Sequence, residues 1–406
     1  MRVLVGIDDT DSSRGFCTTY LAYRITSDLQ DELRVLPYPR LVRLNPNVPF
    51  KTRGNAAVCL SIETADPDEA YRLICSKVSE LSDVRGGANS GVVFVEDPDL
   101  LPAFEKLYLD AVCGIVNVRR VVKLLRENNV RTMTLGNGMG LVGAAASLGF
   151  DERFDHTYEL ISYRREERWG TRRTVDPRSV EEMDRATFPL TFNNYDYQKR
   201  KVLIAPHGPD PVLTGIRGDS PSTVLRALRM VRLGEEPEGY MVYLSNQHTD
   251  AHLARELDWK VFSSGRVSGT IRSLSVGAGG HLYLALHTDG GERNCAVYEP
   301  TGDLRRAAKM LSPGDEVKMF GGVRRATSLH PKVLNVERFD VLKLGSGRKR
   351  GGLVPGTYVG SPRANRHLTK PLVRYGKETA GVRPPDVSGW LTINPLRRSS
   401  ALARSR

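Results

Sequence analysis

Val3-Leu4-Val5-Gly6-Ile7 runs straight into Asp8, Asp9 and Asp11, followed by Ser12, Ser13, Gly15 and the hydroxyls of Thr18 and Thr19. Three carboxylates in a partly desolvated pocket repel one another unless a cation neutralises them, and Mg2+ is the ion that ordinarily bridges carboxylates to phosphates. The expected chemistry is nucleotide binding, with Asp8, Asp9 and Asp11 holding Mg2+. Two other readings stay open: Asp9, Asp11 and Ser12 as a solvated turn capping a helix, and Asp9-x-Asp11-x-Ser13 as a loose match to phosphatases with an aspartyl nucleophile, Asp9 attacking.

Chemistry of this kind needs a rigid frame. The Val/Ile run predicts a buried strand, and Leu21, Ile25, Leu29 and Leu33 at every fourth position predict a helix from near Cys17, whose N-terminus suits a phosphate. Residues 45–55 form a Pro-broken basic loop offering Lys51, Arg53 and Asn55 to phosphate or a nucleobase. Two glycine loops are further candidates for phosphate contact: Gly86, Gly87, Asn89 and Ser90 in the first, Gly136, Asn137 and Gly138 in the second. Neither is a Walker loop or a dinucleotide fingerprint. Around them the pattern predicts strands over 57–62 and 92–95 and helices over 67–81, 102–112 and 117–127, after which the run 130–135 leads into the second glycine loop.

From residue 154 the pattern changes to strand 158–163, helix 177–185, strand or strand pair 190–204, strand 211–216, helix 222–231 and strand 240–245. That is βαββαβ, the ferredoxin-like order. It carries two polar clusters, 215–219 and 246–252; His248 and His252 lack a third ligand, so a seat for a small substrate is expected there rather than a metal. Residues 261–344 read as five short strands with a helical insert at 304–311, an OB-type barrel with an SH3-like barrel as the alternative. After residue 346, thirteen Lys and Arg face two acids, as in a basic arm that orders on nucleic acid or a solubilising tail. The expected fold is α+β and multidomain: a catalytic α/β unit at 1–153, a ferredoxin-like unit at 154–258, an OB fold at 259–344 and a basic extension at 345–406.

The chain of 406 residues carries a formal charge of +12 and a pI near 9.5, which favours a polyanionic partner without deciding it. Its five cysteines are scattered, so neither a disulfide framework nor a cysteine zinc site is indicated. No secretory leader or membrane-spanning run is evident, and a cytoplasmic location is expected.

The opening Gly6-Ile7-Asp8-Asp9-Thr10-Asp11-Ser12-Ser13-Arg14-Gly15 with Cys17-Thr18-Thr19-Tyr20-Leu21-Ala22 closely resembles the archaeal tRNA-isoleucine 2-agmatinylcytidine synthetases. So do Arg43-Leu44-Asn45-Pro46, Lys51-Thr52-Arg53-Gly54-Asn55, the segment 211–218, Tyr298-Glu299-Pro300-Thr301-Gly302 and Arg366-His367-Leu368-Thr369-Lys370-Pro371-Leu372, collinear over almost the whole chain. The resemblance implies a kinase-like domain, a ferredoxin-like domain, an OB fold and a zinc ribbon. It implies ATP-driven attachment of agmatine to C2 of the wobble cytidine of the isoleucine tRNA with a CAU anticodon, with AMP released, Asp8, Asp9 and Asp11 on Mg2+ and ATP, and Thr18 autophosphorylated. Agmatine is dicationic, and Asp219, Asp250 and His252 are its expected contacts. For tRNA the candidates are Arg217, the barrel step at 323 and Arg324, then Arg348, Lys349, Arg350, Arg366, His367 and Lys370. One departure stands out: Leu344-Gly345-Ser346-Gly347-Arg348-Lys349-Arg350-Gly351 leads toward Arg366 without a cysteine, so the ribbon looks deleted and no zinc is expected. A non-catalytic tRNA-binding descendant is the remaining alternative, and no obligate protein partner is evident.

Overall fold

In chain order the first half runs β1 (Arg2–Asp8), α1 (Thr18–Asp28), β2 (Arg34–Val35), β3 (Arg40–Arg43), β4 (Ala56–Glu63), α2 (Pro67–Leu81), β5 (Gly91–Val95), α3 (Leu101–Cys113), α4 (Val118–Glu127), β6 (Arg131–Thr134) and α5 (Gly140–Leu148). The computed structural model describes residues 1–197, 199–328, 331–346, 353–360, 367–375 and 391–393. β1 is the Val/Ile strand, paired antiparallel with β4 and β5. α2 keeps its predicted bounds because Asp66 accepts from the Asp68 and Glu69 N–H groups and Pro67 opens the first turn.

α5 is the element the sequence pattern does not announce. Gly140-Leu141-Val142-Gly143-Ala144-Ala145-Ala146-Ser147-Leu148 has no polar face, and every residue but Val142 is buried; a helix apolar all round belongs inside a core. It lies directly on β1 and β5. A Cβ at Gly6 would stand 2.0 Å from the Ala144 carbonyl oxygen, and one at Gly91 2.3 Å from the Gly140 carbonyl carbon, so the glycines permit the close approach.

The second half comprises β7 (Thr157–Arg164), α6 (Pro177–Thr187), β8 (Thr191–Phe192), β9 (Tyr195–Asp196), β10 (Lys201–Val202), β11 (Val212–Gly218), α7 (Pro221–Met230) and β12 (Pro237–Ser245). Its four main strands lie in the order β12-β7-β11-β8, the ferredoxin-like arrangement. The stretch 190–204 is broken into three short strands, with Asn193 and Arg200 at φ of 58° and 49° interrupting the ladder. β12 runs parallel to β3 through Leu244↔Arg40 and Ser245↔Leu41, so both halves share one eleven-stranded sheet. One core cluster joins Phe104, Leu107 and Leu148 to Val224 and Leu225; the other joins Tyr20, Leu21 and Ile25 to Tyr163 and Tyr243.

β13 (Ser264–Val276), β14 (Leu282–Thr288), β15 (Gly291–Val297), α8 (Asp303–Ala308), β16 (Glu316–Arg324) and β17 (Val333–Lys343) form the barrel. The parallel pairing of β15 with β17 closes it, and the helix falls between the third and fourth strands as an OB fold requires. Position 323 is corrected here: it is Val323, buried in the barrel core, whereas Arg324 beside it is exposed with its guanidinium 5.7 Å from the Tyr298 ring centre. Arg324 is the last residue of β16, where the strand leaves the core that 319–323 fill.

The extension is not simply a free arm. Leu353 enters the barrel core, β18 (Gly356–Val359) adds to β17, and β19 (Leu391–Ile393) pairs with β12. Residues 367–375 dock on the second half through His248 N–H to the His367 carbonyl (2.9 Å) and Asp250 N–H to the Leu368 carbonyl (2.8 Å). Leu368 is buried in the main core. Arg348, Lys349, Arg350 and Arg366 lie outside the described residues. Among the described residues no helix is long and apolar enough to cross a membrane.

Candidate active site

β1 ends at Asp8 and the backbone reverses at once. Asp9 takes a φ of 56°, a left-handed value that Asp tolerates better than most residues. Ser12 and Gly15 then close a tight turn, N–H to carbonyl at 3.1 and 3.3 Å. Behind them Ser90 Oγ donates to the Asp9 carbonyl at 3.1 Å, and Ser12 Oγ donates to Asp83. α1 opens at Thr18 with Cys17 as an extended N-cap that makes no side-chain cap bond, which leaves first-turn N–H groups without intrahelical acceptors. Thr10 Oγ1 donates to Thr18 Oγ1 at 3.0 Å. The Thr19 carbonyl accepts from the Tyr163 and Tyr243 hydroxyls at 3.0 and 2.7 Å, tying the start of α1 to the second half.

The end of β1 and the start of α1 border a cavity of 380 Å3. Asp8, Asp9, Asp11, Cys17 and Thr18 form one wall; Lys51, Arg53 and Asn55 come from the β3–β4 connection; Glu159, Asp210 and Arg217 come from the second half. Arg53 donates to Asp11 and to the Phe16 and Ser12 carbonyls, the last at 3.1 Å. Lys51 donates to the Pro46 and Val48 carbonyls and Asn55 to the Asn45 carbonyl, bonds that shape the loop itself.

The glycine loops stand apart from the cavity wall. Gly86, Gly87, Asn89 and Ser90 sit behind the acidic turn: Gly86 N–H donates to Asp83, and Asn89 bonds Asp9. Gly136, Asn137 and Gly138 line a second cleft beside α4, with the Asn137 N–H held by Asn89 Oδ1 at 3.1 Å. The three agmatine candidates lie outside the cavity lining. Asp219 bonds Arg374, Asp250 bonds Arg338, Tyr375 and the Lys370 N–H, and His252 Nε2 stands 3.0 Å from Glu337, all at the seam with the barrel and the C-terminal segment. Of the tRNA candidates, Arg217 and His367 line the cavity rather than an outer face, and Lys370 pairs with Asp155 at 2.7 Å.

Charge is unevenly compensated. Burial drives the Asp8 carboxyl well above its ordinary range, and the Asp9 and Asp11 charges add to the rise. Burial also raises Asp9, against hydrogen bonds from Asn89, and lifts Asp11 to about 6 despite Arg53. Among the described residues no three His, Cys, Asp or Glu side chains form a complete metal cage. Mg2+ ordinarily takes one or two carboxylates and completes its shell with phosphate oxygens and water, so an acidic cluster short of positive charge fits it.

Glu159 is the opposite case. Burial alone would raise its pKa, but Arg217 and Arg43 on either side, at 2.9 and 3.0 Å, hold it down to about 2. A lone Glu in the buried strand β7 and an Arg inside Gly215-Ile216-Arg217-Gly218 are the signals by which the pair is readable; Asp210 offers no comparable signal. Because its pKa is depressed on folding, Glu159 contributes stability that is complete above about pH 4.5 and lost as pH falls through about 2. Glu159→Gln, which strands two guanidiniums, should cost about 3 kcal/mol at pH 7. Urea titrations should show a smaller deficit at pH 3, and an undiminished one there would rule out a charged Glu159.

Family models described as the TiaS TCKD domain and the TiaS FLD domain match residues 4–71 and 138–252. The chain is 39% identical over 436 aligned positions to the tRNA-isoleucine 2-agmatinylcytidine synthetase TiaS of Cenarchaeum symbiosum, with 97% of each chain covered. It superposes with a TM-score of 0.84 and 32% identity on the crystal structure of TiaS in complex with its isoleucine tRNA and ATP, covering 94% of this chain and 99% of that one. For the crystal structure of TiaS with the same tRNA, AMPCPP and agmatine the TM-score is 0.83, again at 32% identity with 94% and 99% covered.

Proposed function

The chain belongs to the tRNA-isoleucine 2-agmatinylcytidine synthetase family, and from that premise we propose that it joins agmatine to C2 of the wobble cytidine of the isoleucine tRNA, using ATP, releasing AMP and converting a CAU anticodon into a reader of AUA. The observation that carries this is the single cavity in which the acidic end of β1, the Thr18 hydroxyl and the Glu159–Arg217 pair meet. The C2 oxygen of cytosine leaves only with great difficulty as an oxyanion, and phosphorylation turns it into phosphate. The agmatine amine then forms the C–N bond at C2 as the C–O bond to phosphate breaks, and the nitrogen gives up its proton; the second phosphoryl group passes to water, so that one ATP leaves as AMP and two phosphates. The target base must leave its stack to reach the cavity.

Asp8, Asp9 and Asp11 would hold Mg2+, which neutralises phosphate charge when bound. Arg53 steadies Asp11, the open N-terminus of α1 suits a phosphoryl group, and Thr18 is the hydroxyl placed to receive one. Asp210 replaces Asp219 and Asp250 as the carboxylate offered to the far end of agmatine, because it lines the cavity and they do not. The barrel with Arg324 contacts the tRNA, and the protein works in the cytoplasm. No cysteine follows Cys295, so no cysteine zinc site forms in the extension.

Incubation with the CAU-anticodon isoleucine tRNA, ATP and agmatine, then digestion and mass spectrometry, should reveal a wobble nucleoside carrying the amine; unaltered cytidine would sink the proposal. With ATP labelled in its γ-phosphoryl group, label should appear on Thr18 and vanish in Thr18→Val. Label on Asp9 instead would favour an aspartyl nucleophile.

A further inference from the structure

His367 lies far beyond the catalytic half in sequence, yet it lines the same cavity as Asp8 and Thr18. The C-terminal segment that carries it is fastened on both sides of the imidazole's neighbours. His248 Nδ1 stands 2.8 Å from the Thr369 carbonyl, Lys370 N–H donates to Asp250 at 2.6 Å, and Arg374 reaches Asp155, Asp219 and the His248 carbonyl. His367 is an exposed residue overall, while its imidazole is packed among Arg43, Gln247 and Gly54 at the edge of the cavity it lines.

Its proton can be located by elimination. Gln247 is buried, and Arg43 Nε, which can only donate, lies 3.2 Å from Gln247 Oε1. The Gln247 amide nitrogen is thereby the atom 3.4 Å from His367 Nδ1, and Nδ1 accepts. A neutral imidazole with Nδ1 accepting carries its hydrogen on Nε2. Packing against protein, with Arg43 and Arg217 adding positive charge, keeps the ring well below its usual pKa and therefore neutral. Nε2 looks past Gly54, where a Cβ would stand 3.5 Å from it and only 2.7 Å from Arg43 Nη1; glycine keeps that corner open.

Resting on the proposed function, we infer that His367 is a positioning residue whose Nε2–H donates to a hydrogen-bond acceptor on the edge of the extruded pyrimidine. A nucleobase suits this corner better than a phosphate. Both guanidiniums already donate to Glu159, so the cluster offers a neutral donor and a fixed amide rather than uncommitted cations. The C-terminal segment thus supplies part of the active site of the catalytic half.

The test uses the full-length protein with the isoleucine tRNA, ATP and agmatine. His367→Ala should lower kcat/KM for tRNA by about tenfold to a hundredfold, the loss expected for one hydrogen bond to the base, with KM for ATP moving far less than KM for tRNA. His367→Gln, which returns an N–H near the Nε2 position, should recover most of the loss. Thermal denaturation of both variants separates folding from function: equal losses in both, tracking equal drops in melting temperature, or an unimpaired His367→Ala, would overturn the inference. A wild-type protein that incorporates no amine would overturn the functional proposal, and this one with it.

Discussion

Asp8→Asn is expected to abolish amine incorporation, by at least about a thousandfold, while raising the melting temperature of the ligand-free protein at pH 8. The two effects share a cause. Asp8 closes β1 inside the protein, and its carboxyl is driven up by burial and by the Asp9 and Asp11 charges. In the unfolded chain the same carboxyl gives up its proton near the ordinary aspartate value of 3.8. Stability from this group is therefore whole below about pH 4, declines as pH rises, and is at its lowest once the folded carboxyl has also ionised. Asp11, lifted to about 6, adds a decline between about pH 4 and pH 6. Asparagine removes the buried charge together with the carboxylate oxygen proposed to hold Mg2+, a common exchange of activity for stability. Melting curves of wild type and Asp8→Asn at pH 5 and pH 8 should diverge at the higher pH, and the gap should shrink when Mg2+ and ATP are added to the wild type. Residual incorporation above a tenth of wild type, or a lower melting temperature at pH 8, would discard the assignment.

The fold was legible wherever local chemistry and tertiary demand agreed. Asp66 and Pro67 mark the start of α2, and the Val/Ile run of β1 is a buried strand because it pairs on both edges. The βαββαβ order survived because each helix of the second half has a polar face and a cap: Asp176 for α6, Ser220 for α7. α5 escaped because periodicity reports a boundary with water, and a Gly/Ala helix pressed on a sheet has no such boundary. The joining of the two halves through β3 and β12 is a contact between residues about two hundred positions apart, and nothing local encodes it.

The site divides along the same line. Asp8, Asp9, Asp11 and Thr18 are contiguous, so a strand end and a helix start reveal them together. Glu159, Asp210 and His367 are brought to the cavity by three separate segments, and only the buried charge in a strand hints at the first. Asp219 and Asp250 are the converse case: both are conspicuous in polar loops, and Arg374, Arg338 and Tyr375 use them to fasten the C-terminal segment and the barrel. The glycines of 86–91 and 136–140 look like phosphate loops because close backbone approach and anion binding demand the same residue. Here Gly91 serves the approach of α5 to the sheet.

That approach yields the second large effect, at Gly143. The residue lies in the first turns of α5, and a Cβ built on it would stand 1.9 Å from Asp8 Oδ2 and 2.6 Å from its Cγ. Either the carboxylate swings away or the helix moves, and the helix is locked against β1 by Gly6 and Ala144. The carboxylate should yield, so Gly143→Ala is expected to cut incorporation by at least about a hundredfold through misplacement alone. Its effect on stability should be small, since alanine gains about 1 kcal/mol of helix propensity over glycine against the strain at Asp8. A double-mutant cycle makes the coupling visible. In an Asp8→Ala background no carboxylate remains to be struck and only the Cβ of residue 8, at 3.1 Å, stands opposite, so Gly143→Ala should stabilise the protein by up to about the propensity gain of 1 kcal/mol. Denaturant titrations of the four proteins measure this directly; additive changes across the cycle, or a Gly143→Ala enzyme of wild-type activity, would show that Asp8 does not depend on the bare backbone opposite it.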